Sequence, residues 1–278
     1  MAQQNKRNRA DGTVRDNPLA AAVSQRDRST MEMVRSALDH KQVMLAFQPI
    51  MQSRGGIAFY EGLIRVLDET GRIIPAREFI EVIEETEMGR IVDCLALEKG
   101  MRALRRNPEL RLSINMSARS IGYARWNQVL ERNLRSDPTL GERLIMEITE
   151  SSAMLVPELV ISFMADLQSR GVCFALDDFG SGYTSFRSLR DFYFDMIKID
   201  GQFIRGISGN SDNQVLVQAL VSIAQHFDMF TVAEFVENAE DAEFLAQSGI
   251  DCLQGYYFGA PTVRPPWSEE DGDMRASA

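Results

Sequence analysis

Two rhythms of hydrophobic and polar positions alternate along this chain. Short apolar runs at 43–51, 57–67, 110–116, 143–149, 172–176, 196–200, 230–236 and 251–256 read as strands. Between them, apolar residues recur every three or four positions at 76–86, 89–105, 125–134, 157–169, 184–190, 213–227 and 239–247, which predicts helices. A further helix is expected ahead of the first strand, capped by Ser29 or Thr30 and running to about residue 40, with Met31, Val34 and Leu38 on one face. Only Gly55-Gly56 and a few polar residues separate the first two strands, too short a link for a parallel crossover, so that pair is expected to be antiparallel. From there strand and helix alternate, the pattern of parallel strands wrapped by helices, and about eight strands close most naturally into a barrel. The expected fold is therefore α/β, a modified TIM (β/α)8 barrel with the first strand antiparallel, occupying 29–265 as one domain. An open doubly wound sheet is the alternative, but no glycine-rich phosphate fingerprint follows an early strand.

The flanks differ in composition. Residues 1–28 are polar and basic, with Lys6, Arg7, Arg9, Arg15, Arg26 and Arg28, and 266–278 are acidic, with Glu269, Glu270, Asp271 and Asp273; both are expected to be disordered tails. The formal net charge of −10 argues against recruitment of DNA or RNA by charge. No apolar run approaches the ~20 residues that span a bilayer, and the N-terminal residues are charged where a secretory signal is apolar. A cytoplasmic location is expected. Cys94, Cys173 and Cys252 are odd in number and far apart, so buried thiols are expected. With only His40 and His226 in the chain, a metal would be held by oxygen, which points to Mg2+ or Mn2+.

Candidate chemistry gathers where the strands end. Glu61, Asn115, Glu147, Asp177, Lys198, Glu234 and Gln254 are separated by 54, 32, 30, 21, 36 and 20 positions. After the first gap, these intervals match one strand plus one helix. In a barrel such positions converge on one mouth. Parity agrees: Ser113, Ala175, Val232 and Cys252, two residues earlier, are small enough for a crowded interior, while Ile114, Met146, Ile148, Leu176, Ile197 and Ile199 would face the helices. Asp177 and Asp178 are adjacent and would point apart on a regular strand, but the pleat ends there, before Phe179-Gly180-Ser181-Gly182. Each of these residues alone has an ordinary structural reading as a cap or an ion pair. Seven in the same structural position are better explained by a site.

These residues fall in strings that resemble, in order, the motif set of the EAL-domain cyclic-di-GMP phosphodiesterases. They are Phe47-Gln48-Pro49-Ile50, Glu61-Gly62-Leu63-Ile64-Arg65, Ser113-Ile114-Asn115-Met116-Ser117, Glu147-Ile148-Thr149-Glu150, Asp177-Asp178-Phe179-Gly180-Ser181-Gly182-Tyr183, Ile197-Lys198-Ile199-Asp200, Ala233-Glu234-Phe235-Val236-Glu237 and Gln254-Gly255-Tyr256. The resemblance covers roughly residues 30–265. It implies hydrolysis of cyclic di-GMP to linear pGpG with two Mg2+ or Mn2+ ions, Ca2+ being inhibitory. By the same resemblance Glu61, Asn115, Glu147 and Asp177 hold the first ion and Asp178 supports the second. Lys198 meets the attacking water and Glu234 is its base or orients it. Gln48, Arg65 and Gln254 contact substrate, while Glu150, Thr184 and Glu237 support the loops. Paired cations suit this chemistry, because a phosphodiester repels hydroxide until its charge is offset. The chain departs from the pattern at Gly62, where alanine is usual, at Phe235, where glycine is usual, and at Ala260, where a basic residue is common. Phe235 is expected to re-aim Glu234 or narrow the cleft. Regulation is expected through the tails, dimerisation or a protein partner, and the alternative function is a catalytically idle receptor for cyclic di-GMP.

Overall fold

The computed structural model describes residues 18–180 and 190–268. Its strands are β1 (Val43–Gln52), β2 (Ile57–Leu67), β3 (Ile73–Pro75), β4 (Leu112–Asn115), β5 (Leu144–Thr149), β6 (Cys173–Phe179), β7 (Met196–Ile199), β8 (Phe230–Ala233) and β9 (Cys252–Leu253). β2 and β4 to β9 run parallel, each bonded to the next. β1 closes the ring by pairing antiparallel with both β2 and β9, so eight strands form the barrel. The short β3, which the hydrophobic pattern did not announce, lies outside the ring, antiparallel to β2.

The alternation of side chains divides the core in two. Ile114, Met146, Ile148, Leu176, Ile197 and Ile199 pack outward against the helices in the larger cluster. Ile50, Phe59, Ile145, Ala175, Val232 and Cys252 form a separate cluster inside the barrel. That inner cluster is its floor, where apolar side chains fill the space the strands enclose and exclude water. Several helices enter behind polar caps: Thr86 accepts from Met88 N ahead of the helix Glu87–Arg106, Asn210 from Asn213 N ahead of Ser211–His226, and Asn238 from Asp241 N ahead of Ala239–Gln247.

Several boundaries differ from expectation. The first helix runs Pro18–Asp39, so residues 18–28 are helical where a tail was expected. Ala20, Ala21 and Ala22 supply strong helix propensity there, although burial begins only near Val34 and Ala37. The helix expected at 76–86 is broken into Ala76–Glu78 and Ile80–Ile83 by Phe79, whose φ of −138° leaves the helical range as its ring is buried. The last strand keeps only Cys252–Leu253, because the chain at Gly255 presses onto the Val236 backbone too closely for any Cβ. Nor do contacts with the barrel stop at 265: Thr262 bridges to Phe47, and the Trp267 ring meets those of Phe47 and Tyr60 edge-on at 5.3 and 4.6 Å. The helix expected at 184–190 falls almost wholly outside the described residues.

Candidate active site

Parallel strands deliver their C-terminal ends to one mouth, and register decides which side chains meet there. Glu61 pairs with Ser113, Asn115 with Glu147 and Thr149 with Asp177, so the polar residues climb the ring in step. Lys198, only 1% exposed, stands at the centre. Its Nζ lies 2.8 Å from Glu147 Oε2, 2.8 Å from Glu234 Oε1, 3.0 Å from Asp177 Oδ1 and 3.5 Å from Glu61 Oε2. Asn115 Nδ2 donates to Glu61 Oε1 at 2.7 Å, and Gln254 Nε2 donates to Glu61 Oε2 at 2.6 Å. Residues up to 193 positions apart in the chain thus share one network.

A fifth carboxylate, Asp178, is brought to the cluster by a break in the strand. Pairing of β6 with β7 slips between Leu176 and Phe179, and Asp178 takes a left-handed φ of 54°. Aspartate tolerates that conformation better than most residues, and the kink turns two neighbouring carboxylates to the same side. Oxygens of Asp177, Asp178 and Glu234 all fall within 4.8 Å of one another, close enough to share a cation.

The electrostatics follow from burial. Desolvation pushes the Glu234 carboxyl up to about 8 and, with the neighbouring Asp177 charge, Asp178 up to about 6. Burial and then Glu61 hold Glu147 well above the usual range. Glu61 moves the other way, because Lys198, Gln254 and Asn115 together outweigh its burial. Burial also opposes the charge on Lys198, but Asp177, Glu147, Glu234 and Glu61 overcome it and hold its pKa well above the ordinary lysine value. Five carboxylates face one ammonium, an excess of four negative charges when all are ionised. At ~4 Å and an effective dielectric of ~20, each like-charge pair costs about 4 kcal/mol. Such a cluster needs further cations to be fully ionised at neutral pH.

The donor atoms fit divalent metal ions. Among the described residues, Glu147 Oε1, Asp177 Oδ1 and Gln254 Oε1 are buried oxygens with no hydrogen-bond donor, Asp177 Oδ1 meeting Lys198 as an ion pair out of hydrogen-bond alignment. Unsatisfied buried acceptors are rare in folded proteins. Carboxylates plus the amide oxygen of Asn115, whose Nδ2 is the atom turned to Glu61, form an all-oxygen set suited to Mg2+ or Mn2+.

Other expected residues take varied places. Gln48 is buried, donating to Gly259 O at 3.1 Å and accepting from Gln254 Nε2 at 3.1 Å, which orients Gln254 against Glu61. Arg65 is half-buried on β2 beyond Glu61, with Nη1 on the Ile64 carbonyl at 2.8 Å. Glu150 Oε2 accepts from Gly180 N at 2.9 Å and so tethers the turn after Asp178. Thr184, its expected partner, lies outside the described residues. Glu237 stays outside the cluster, its Oε1 3.8 Å from Arg205 Nε at a half-exposed rim. Phe235 does not re-aim Glu234: its ring turns away toward Gly201 and Arg205, and Glu234 keeps its contact with Lys198. At Gly62 the space of the usual methyl is filled by Ile114, whose Cδ1 would lie 2.7 Å from a Cβ there.

Two buried acids escaped the sequence reading. Asp93 Oδ2 accepts from Ser117 N at 3.1 Å and Ser120 Oγ at 2.6 Å, clamping the loop that follows Asn115. Burial nevertheless raises its pKa to about 7. The available signal was a lone acid in the apolar series Gly89, Asp93, Ala96, Leu97, Gly100, Met101. Asp241 accepts from Gly206 N and Ser208 N, both at 2.9 Å, and ties the segment after β7 to the helix after β8. In sequence it looks like any acid in a first helical turn.

Fold and site together define a barrel whose mouth concentrates acids around a buried lysine, and the chain belongs to the EAL domain family, whose model matches residues 31–261. It is 34% identical over 252 residues to the cyclic di-GMP phosphodiesterase PdeF of Escherichia coli, covering 89% of this chain and 34% of PdeF. To PdeR, a cyclic di-GMP phosphodiesterase of the same organism, it is 32% identical over 237 residues, covering 82% of this chain and 35% of PdeR. The chain therefore spans about a third of the length of these curated relatives. Among solved structures, the PaMucR phosphodiesterase in complex with c-di-GMP superposes with a TM-score of 0.77 at 28% identity, over 84% of this chain and 97% of that one. No helix among the described residues is long and apolar enough to cross a membrane.

Proposed function

We propose that this chain hydrolyses cyclic di-GMP to linear pGpG with two divalent cations, Mg2+ or Mn2+. The observation that carries this reading is the buried cluster itself: five carboxylates and one amide around Lys198, with an excess charge that two divalent cations would balance. Glu61, Asn115, Glu147 and Asp177 would hold the first ion, and Asp177 with Asp178 the second. When bound, the ions offset phosphate charge and lower the pKa of water. Glu234 takes up or directs the proton of the attacking water, and burial suits it to this, since a carboxyl near pKa 8 in the ion-free protein is a stronger base than an exposed one. Lys198 steadies the negative charge that develops at the attacking oxygen. Arg65 offers a planar fork to a phosphate, while Gln48 works through Gln254. The named activity of PdeF and PdeR and the ligand of the PaMucR structure support the choice of cyclic di-GMP.

Incubation of the purified protein with cyclic di-GMP and Mg2+, Mn2+ or Ca2+, followed by product analysis, tests the reading. We expect pGpG with Mg2+ and Mn2+ and little with Ca2+. Glu234→Gln should lower kcat by ~10²–10⁴-fold while leaving binding of the cyclic dinucleotide intact. Tight binding with no pGpG under any ion would make the chain a receptor instead.

A further inference from the structure

Phe235 follows Glu234 with a left-handed φ of 55°. Glycine adopts that conformation freely, but a residue with a bulky side chain is strained there and persists only if its surroundings compensate. The ring supplies that compensation. It fills the space beside Gly201, where a Cβ would come within 2.7 Å of the ring Cγ and 2.9 Å of the Phe235 Cβ. The Arg205 guanidinium covers the ring at 4.1 Å from its centroid, and Arg205 also approaches Glu237. The loop after β8 is thereby clasped to the segment after β7.

That segment also reaches the opposite way. Gln202 Nε2 donates to Gly180 O at 3.0 Å, and the Phe203 ring occupies the space where a Cβ on Gly180 would stand, with Cζ 3.1 Å away. Residues 201–205 therefore form a strut between the Asp177-Asp178 turn and the Glu234 loop. The three carboxylates that meet within 4.8 Å sit at its two ends. Their mutual distance depends on how firmly each end is gripped; at the Glu234 end the Phe235 ring adds a side-chain hold to the backbone bonds from Glu234 N to Ile199 O at 3.2 Å and from Val236 N to Gln254 O at 2.9 Å.

We propose that Phe235 is a positioning residue: its ring, held between Gly201 and Arg205, locks the backbone beside Glu234 and keeps that carboxylate in register with Asp177 and Asp178 for cation binding. The use of the cation rests on the function proposed above, whereas the clasp rests on geometry alone. Phe235→Gly is the direct test, because glycine suits the left-handed backbone, so the ring and the restraint it places on the chain are lost without a clash. Mn2+ affinity by calorimetry, amide exchange, and kcat and KM should be compared among the parent, Phe235→Gly and Phe235→Tyr. In Phe235→Gly we expect Mn2+ binding weakened by about 10–100-fold, faster exchange at 201–206 and 234–237, and a fall in kcat with KM little changed. Phe235→Tyr should restore the parental values. Unchanged Mn2+ affinity in Phe235→Gly, or Tyr performing as poorly as Gly, would overturn the proposal. A parent that binds Mn2+ but yields no pGpG would remove the hydrolase reading, and the Mn2+ comparison would still decide the role of Phe235.

Discussion

The floor and the mouth of this barrel are built by the same strands, two residues apart, from opposite materials. Phe59, Ile145, Ala175 and Val232 pack together below. Two positions on, Glu61, Glu147, Asp177 and Glu234 surround Lys198. On β1, which runs against its neighbours, the order inverts, and Ile50 on the floor follows Gln48 at the mouth. The floor is held by dispersion and exclusion of water, which need no ion and no particular pH. The mouth is a concentration of like charge that the fold tolerates because one ammonium sits in its middle and some carboxyls keep their protons. Stability is invested in the floor so that charge can be crowded at the mouth.

The strongest break in this contrast is Lys198→Ala. Removing one partner of a buried ion cluster leaves uncompensated charge, so unfolding free energy in chelator should fall by about 3–5 kcal/mol. Saturating Mg2+ should recover part of that loss in a urea titration, while kcat stays down by ~10²–10³-fold. A smaller effect is expected from pH. Asp178, Asp93 and Glu234 keep their protons in the folded protein up to about 6, 7 and 8, whereas an unfolded carboxyl releases its proton near ~4. Their contribution to stability is therefore full below ~4 and is lost as pH rises through the folded values. In chelator, Tm should fall between pH 5 and 8. Mg2+, which binds the ionised forms, should flatten the part due to Asp178 and Glu234, and Asp93→Asn should remove a part that Mg2+ leaves. A Tm that rises over this range would contradict the assignment of these shifts. The smallest effect is Ile50→Val on the floor, expected to cost about 0.5–1.5 kcal/mol. Its loss should be the same with and without Mg2+ and at either pH, and a metal-dependent difference would erase the distinction between the two ends.

How much of this was legible differs by residue. Glu61, Asn115, Glu147, Asp177, Lys198, Glu234 and Gln254 were found together because each ends an apolar run, and strand ends in a parallel barrel have only one place to go. Floor residues such as Ala175 and Val232 followed from parity alone. Asp178 was anticipated only in outline, since the bulge that turns it inward depends on β7 slipping against β6. Where the Phe235 ring goes was not legible, because Gly201 and Arg205, beside which it lies, are thirty or more positions upstream. Trp267 read as the start of a tail because the rings it meets, Phe47 and Tyr60, lie at the other end of the chain.

The amino-acid sequence by itself determined the order of elements, the inward and outward faces of the strands and the identities of the residues at the mouth, because these depend on periodicities of two and 3.6 that any short segment carries. Only the tertiary structure decided that Lys198 answers four acids at once, that Asp93 and Asp241 clamp neighbouring loops, and that Phe235 is clasped by Gly201 and Arg205. Those facts depend on distances between segments far apart in the chain, which closure of the ring sets and no local pattern contains.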